Sequence, residues 1–168
     1  MPYSVTLIKG VPSTTRRGIA FLESSADGDV NAKEVFDKLK EKIGRDLRSR
    51  FGYWLDGNTC DKYFHGRPGD KDHKHCFVFK WKEAGTYHRL YGFLFNPKPS
   101  TDPAFQVCIL VSHARKNTEE TDPTVLNAVS ALSAKEEVIN AVRAVFPDGS
   151  EEQENSHAKR TALDRRKR

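Results

Sequence analysis

The chain has 168 residues, of which 37% are hydrophobic and 30% are charged, and its formal net charge is +5. This length suits one domain with extensions, and no apolar run approaches the roughly 20 residues that span a bilayer. The N-terminus lacks the basic and then apolar order of a secretory signal, and three widely spaced cysteines form no CxxC pair. We therefore expect a cytoplasmic protein without a membrane segment, whose mild basicity permits a polyanionic partner without requiring one.

The N-terminal part of the chain predicts strands and then one long helix. Residues 4–9 have the composition of a strand, and residues 18–22 suit a second strand or a short helix. Asn31 is placed to cap a helix, with Glu34 three residues later as in a capping box. Apolar side chains then recur at every fourth position: Val35, Leu39, Ile43 and Leu47. The spacing predicts an amphipathic helix that ends before Gly57.

The middle of the chain predicts a β-hairpin and a buried strand. Residues 58–74 are polar and typical of a loop. Residues 76–82 and 86–95 are rich in aromatic and β-branched side chains, and residues 83–85 suit the short turn between two strands. The nearly continuous apolar run within residues 105–112 indicates a central strand that is buried on both faces.

Helices and a charged tail are predicted for the C-terminal part. Asp122 and Pro123 form a helix start, and the apolar spacing changes phase after Leu132, which predicts two short helices or one kinked helix. Residues 148–168 are first acidic and then basic without apolar periodicity, so we predict a disordered charged tail. Because strands and helices are segregated, residues 1–147 predict a single α+β domain with an antiparallel sheet and helices on one side.

Eight side chains near the ends of the predicted strands are candidates for a functional site. They are Lys80, Lys82, Tyr87, Arg89, Tyr91, His113, Arg115 and Lys116. Side chains two positions apart on a strand point to the same face, so the lysines of one hairpin strand form one set and Tyr87, Arg89 and Tyr91 form another. If these faces coincide with the end of the third strand, cations, phenols and an imidazole would share one concavity.

Such a concavity suits RNA, because cations hold phosphates and aromatic faces stack on bases. It also suits RNA cleavage without a metal. A cation such as Arg89 would stabilise the charged phosphorus centre, and a general base and acid would move the protons. His113 is the one obvious candidate that titrates near neutrality when unperturbed.

Each pattern also has a purely structural explanation. Alternating lysines usually mark the solvent face of a strand, tyrosines commonly pack within sheets, and a histidine at a strand end is often held by structural hydrogen bonds. A further group of metal-ligand types lies close in sequence: Cys60, His65, His73, His75 and Cys76. Their spacing matches no closed zinc pattern, and the chain has no phosphate-binding or dinucleotide-binding glycine motif, so we predict neither a metal nor a cofactor.

Two segments carry a resemblance to a known family. Residues 86–93 read Thr-Tyr-His-Arg-Leu-Tyr-Gly-Phe, and residues 113–123 hold a histidine, a basic pair followed by Asn and Thr, and a Thr-Asp-Pro helix start. These segments resemble the tyrosine–x–arginine–hydrophobic strand and the following strand end of RelE/HigB-like toxins, especially the phage-derived branch. The resemblance covers roughly residues 30–146. In place of the paired lysines of that branch, this chain has Arg115 and Lys116.

The resemblance implies a compact α+β fold in which an N-terminal amphipathic helix and C-terminal helices pack on a curved antiparallel sheet. It also implies mRNA cleavage, often on the ribosome, and neutralisation by a small antitoxin. By position, the catalytic set would be Arg89, His113, Lys80 and Lys82. The RNA-binding set would be Tyr87, Tyr91, Arg115 and Lys116. Two other functions remain open: a non-catalytic nucleic-acid-binding or host-factor-binding protein of a mobile element, and a domain that binds a partner protein.

Overall fold

The computed structural model describes residues 2–116 and 123–148, which form one open sheet of six strands with four helices packed on it. The strands are β1 (Tyr3–Leu7), β2 (Arg17–Ser24), β3 (Phe64–Gly66), β4 (Cys76–Glu83), β5 (Thr86–Phe95) and β6 (Gln106–Lys116), and the helices are α1 (Ala32–Asp37), α2 (Glu41–Leu55), α3 (Pro123–Ala134) and α4 (Glu136–Val145). The predicted α+β class is confirmed. Of the predicted tail, everything after residue 148 lies outside the described residues.

The sheet has the strand order β1-β2-β6-β5-β4-β3. All neighbouring pairs are antiparallel except β2 and β6, which run parallel, so the sheet is mixed rather than wholly antiparallel. A parallel pair needs a long connection between its strands. Here the connection contains α1, α2 and the strands β3 to β5, so β6 returns to the middle of the sheet next to β2.

Helices cover both faces of the sheet, and the prediction that they lie on one side is wrong. We call the face under α3 and α4 the first face and the face under α1 and α2 the second face. The reason is visible in β6, where Val107 and Ile109 belong to the first core and Cys108 and Leu110 to the second. All four side chains are fully buried, which confirms the predicted central strand with burial on both faces.

The predicted long N-terminal helix is two helices, α1 and α2, separated by residues 38–40. α1 contacts β2 and β6, whereas α2 contacts β2 and β4, so the chain must change direction between them. A row of aromatic rings joins the two helices to the second face. Phe36 of α1 lies 5.3 Å from Phe21 and 5.9 Å from Phe51 of α2, and Phe51 lies edge-on to Phe79 at 4.8 Å.

A β-bulge interrupts the pairing of β5 with β6. Gly92 pairs with Leu110, but the preceding Tyr91 pairs with Ser112, which leaves Val111 as an extra residue on β6. The backbone carbonyl of Val111 accepts a hydrogen bond of 3.0 Å from the Asn31 backbone N–H. A bulge of this kind shifts the register by one residue and therefore changes the face to which every later side chain points.

Asn31 holds this bulge instead of capping α1 with its side chain. It occupies the N-cap position, but its side chain makes no capping hydrogen bond, so the predicted capping box is wrong. The side-chain oxygen Oδ1 instead accepts a hydrogen bond of 2.9 Å from the His113 backbone N–H. The hydroxyl of Ser112 donates to the Asp29 carbonyl at 2.7 Å, so the segment before α1 satisfies the polar groups that the bulge releases.

None of the helices in the described ranges is both long enough and apolar enough to cross a membrane.

Candidate nucleic-acid interface

The hairpin of β4 and β5 projects beyond the short strand β3. Its turn consists of Ala84 and Gly85, both with positive φ (50° and 81°), as a two-residue turn between twisted strands requires. β3 pairs only with Phe77–Phe79 of β4, and the Lys80 backbone N–H then donates to the Tyr63 carbonyl at 2.8 Å. From Lys80 to the turn, β4 therefore runs on past the end of its partner strand.

A hollow of about 750 Å³ lies along this part of β4, and we call it the basic hollow. It is lined by Arg50, Lys62, Tyr63, His65, Arg67, Lys80, Trp81, Lys82, Tyr87, His88 and Arg89. Six of the lining residues are lysine or arginine, and no aspartate or glutamate of the described part of the chain lines it. The hollow is therefore a site of concentrated positive charge interleaved with aromatic rings.

Four of the predicted site residues meet in the basic hollow. Lys80 pairs with Arg89 across the hairpin, and Lys82 pairs with Tyr87, so the register places these side chains side by side on the first face. Arg89 is only 8% exposed, whereas Tyr87 is 46% exposed. A guanidinium at this depth attracts an anion more strongly than a surface lysine does, because less water screens it. Tyr87 presents a ring that a base could reach.

Residues that the sequence analysis did not identify complete the other wall. Arg50 of α2 donates to the Lys80 carbonyl at 2.8 Å, and its guanidinium lies 4.0 Å from the centre of the Tyr63 ring. Lys62 lies over the same ring at 5.4 Å. Arg67 donates to Asp70 at 3.3 Å, which balances part of its charge. Because Trp81 and α2 belong to the second face, the hollow wraps around the outer edge of β4.

His113 does not line the basic hollow, and the expectation that it shares a concavity with Arg89 is corrected by the register. The pairing of Gly92 with Leu110, if continued, would have placed His113 opposite Arg89. The bulge at Val111 shifts the register by one residue, so His113 pairs with Leu90 and points to the second face. The extra residue that causes this shift leaves no pattern in the sequence from which it could have been predicted.

The surroundings of His113 keep its imidazole neutral. Its Nε2 lies 3.0 Å from Nδ1 of His88, and its ring is tilted against Trp81 at 5.7 Å between centroids. Burial, with the neighbouring His88 and Arg115, lowers the pKa of His113 to about 4. At neutral pH it therefore carries no proton that it could donate, and it reaches the hollow only through His88.

The remaining predicted residues are divided between the core, the second face and the first face. Tyr91 is 1% exposed and belongs to the first core, so it cannot stack on a base. Arg115 pairs with His88 and so lies on the second face. Lys116 pairs with Tyr87 on the first face, but it is 8% exposed and is not among the residues that line the hollow. Only Tyr87 of the expected RNA-binding set lies in the hollow.

The candidate metal ligands do not meet. In residues 2–116 and 123–148, no group of three His, Cys, Asp or Glu side chains is arranged to hold a metal ion. Cys76, for example, is buried and its sulfur lies 3.4 Å from the Ser130 hydroxyl, whereas His73 bonds Asp70 at 2.9 Å and Asn127 at 2.6 Å.

Comparison with known proteins adds nothing to the geometry, since no family model, curated protein or solved structure matches the chain. The resemblance to RelE/HigB-like toxins therefore stays a prediction that depends on two short segments.

Proposed function

We propose that the protein binds single-stranded RNA through the basic hollow. The observation that carries this proposal is the composition of the lining, which combines six lysine and arginine side chains with tyrosines and lacks described carboxylates. Proteins that bind single strands use a positive groove for the phosphates and aromatic side chains for the bases. The buried Arg89 and the exposed Tyr87 supply one group of each kind.

The geometry favours a flexible single strand over a rigid duplex. The hollow wraps around the edge of β4, so a bound chain must bend around that edge and direct bases towards Tyr87. Unpaired bases can be splayed out and stacked on aromatic rings, whereas paired bases cannot. We expect RNA rather than DNA on the strength of the resemblance.

The narrower form of this proposal is a toxin-type endoribonuclease that cleaves mRNA without a metal and is controlled by a small antitoxin. Its specific support is the pair of Lys80 and Arg89, adjacent across the hairpin inside the hollow. Two cations beside one phosphate would stabilise the additional negative charge of the transition state. The alternative is a non-catalytic nucleic-acid-binding protein of a mobile element, which would use the same hollow only to hold the strand.

Titration of a fluorescent single-stranded RNA at several salt concentrations tests the proposed binding. If the hollow holds about four phosphates, a plot of log affinity against log salt has a slope of about −3, since each neutralised phosphate of a single strand contributes about −0.7. A duplex of the same length should bind more weakly at each salt concentration. Binding that is absent at low salt, or that does not respond to salt, would refute the proposal.

A further inference from the structure

His65 is an imidazole of the basic hollow whose position differs from that of the predicted His113. It lies on β3 and pairs with Val78, a residue of the first core, so its register places it on the first face. Lys80 is two residues beyond Val78 on the same face and pairs with Arg89. Side chains in such diagonal positions of a sheet are within reach of one another. His65 therefore lies beside the two cations that would hold a phosphate.

The hydrogen bond of His65 fixes which ring nitrogen is free. Its Nδ1 lies 2.8 Å from the Gly66 carbonyl oxygen. A carbonyl oxygen accepts but cannot donate, so Nδ1 carries the hydrogen in this contact. In the neutral imidazole the lone pair is then on Nε2, the nitrogen available to a ligand in the hollow.

The charges around His65 keep it in this neutral form. Burial lowers its pKa, and Lys80 of β4 and Arg89 of β5 lower it further, while the bond to Gly66 and the nearby Asp61 act in the opposite direction. An imidazole with a pKa below its usual value is unprotonated at neutral pH and can accept a proton. The other imidazole of the hollow, His88, has its Nδ1 engaged by His113 and its ring stacked on Trp81.

We propose that Nε2 of His65 is the general base that activates a ribose 2′-hydroxyl of RNA bound in the basic hollow. This inference rests on the proposed function, because it requires the strand to occupy the hollow. The 2′ O–H bond breaks and the proton passes to Nε2. The 2′-oxygen forms a bond to phosphorus as the bond from phosphorus to the 5′-oxygen breaks. Water supplies a proton to the departing 5′-oxygen, and the imidazolium returns its proton to solvent.

The products of this step are a 2′,3′-cyclic phosphate and a 5′-hydroxyl, and no atom changes oxidation state. Lys80 and Arg89 act as electrostatic partners, since the phosphorus centre gains negative charge as the 2′-oxygen attacks. The step needs no metal. It does need the 2′-hydroxyl, so a strand that lacks this group can bind in the hollow without being cut.

The test compares the wild-type protein with His65→Asn in the presence of a metal chelator. An asparagine amide can still donate to the Gly66 carbonyl, but it offers no titratable nitrogen in the place of Nε2. We expect the variant to bind RNA within twofold of wild type and to cleave it more slowly by about 100-fold or more, the usual contribution of a general base. The wild-type rate should rise with pH to a plateau that begins below neutrality.

The matched control is His75→Asn, which removes an exposed histidine that does not line the hollow. It should cleave at the wild-type rate, and thermal unfolding of both variants checks the fold. A second probe is the same RNA with 2′-deoxyribose at every position, which should bind and stay intact. The inference is overturned if His65→Asn cleaves as fast as wild type, or if wild type binds RNA without cutting it. The second result would leave the proposed binding function standing, whereas absence of RNA binding would remove both.

Discussion

Replacing Lys80 and Lys82 together by glutamine is expected to weaken the binding of single-stranded RNA by about 10- to 100-fold at physiological salt. Both side chains line the basic hollow and lie beside Arg89 and Tyr87 across the hairpin. Each lost phosphate contact also releases fewer counterions, so the slope of log affinity against log salt should become shallower by about 1.4 in total. Fluorescence anisotropy at four salt concentrations measures both quantities.

The control for this prediction has the same change in net charge at another place. Lys9 and Lys42 are exposed and do not line the hollow, so Lys9→Gln with Lys42→Gln should leave the affinity within about twofold and the slope unchanged. An equal loss of affinity in the two double variants would mean that the overall charge of the protein binds RNA, and the basic hollow would then have no special role.

Replacing Gly92 by alanine is expected to produce the largest loss of stability, about 3–5 kcal/mol or failure to fold. A β-carbon at this position would lie 2.2 Å from the Ile109 backbone oxygen and 2.9 Å from its carbonyl carbon. Both atoms belong to the main chain of the central strand β6, so neither can rotate away from the contact. Denaturant unfolding followed by tryptophan fluorescence gives the change in the free energy of unfolding.

Gly28→Ala is the matched control, because no atom lies within 4 Å of the β-carbon that it would add. We expect its free energy of unfolding to stay within about 0.5 kcal/mol of wild type. A Gly92→Ala variant that is as stable as this control would show that β5 and β6 do not approach each other as closely as the bulge requires.

The sequence predicts most of the elements that follow a simple periodicity. The hairpin of residues 76–95 has alternating aromatic and β-branched content with a glycine in its turn, and β6 has a continuous apolar run, so both were predictable. The break between α1 and α2 was not, because Leu39 and Ile43 continue the apolar spacing through the position where the helix ends. Periodicity reports which residues are apolar, but tertiary contacts decide where the chain turns.

The candidate site was predictable only where it depends on one hairpin. Lys80, Lys82, Tyr87 and Arg89 are brought together by local pairing, which the short turn determines. His113 was assigned to the wrong face, since a single extra residue on β6 reverses the direction of every side chain that follows it. His65 was considered only as a metal ligand, because β3 has three residues within a polar segment and is recognisable only from its pairing with β4.

The position of bound RNA on the protein tests the central claim most directly. A single-stranded RNA that carries 4-thiouridine can be cross-linked by light, and the modified peptides can then be identified by mass spectrometry. We predict adducts on peptides that contain Tyr63 or Tyr87, the two tyrosines that line the basic hollow. Adducts confined to α3 and α4, or to residues 149–168, with both tyrosines unmodified, would contradict the account.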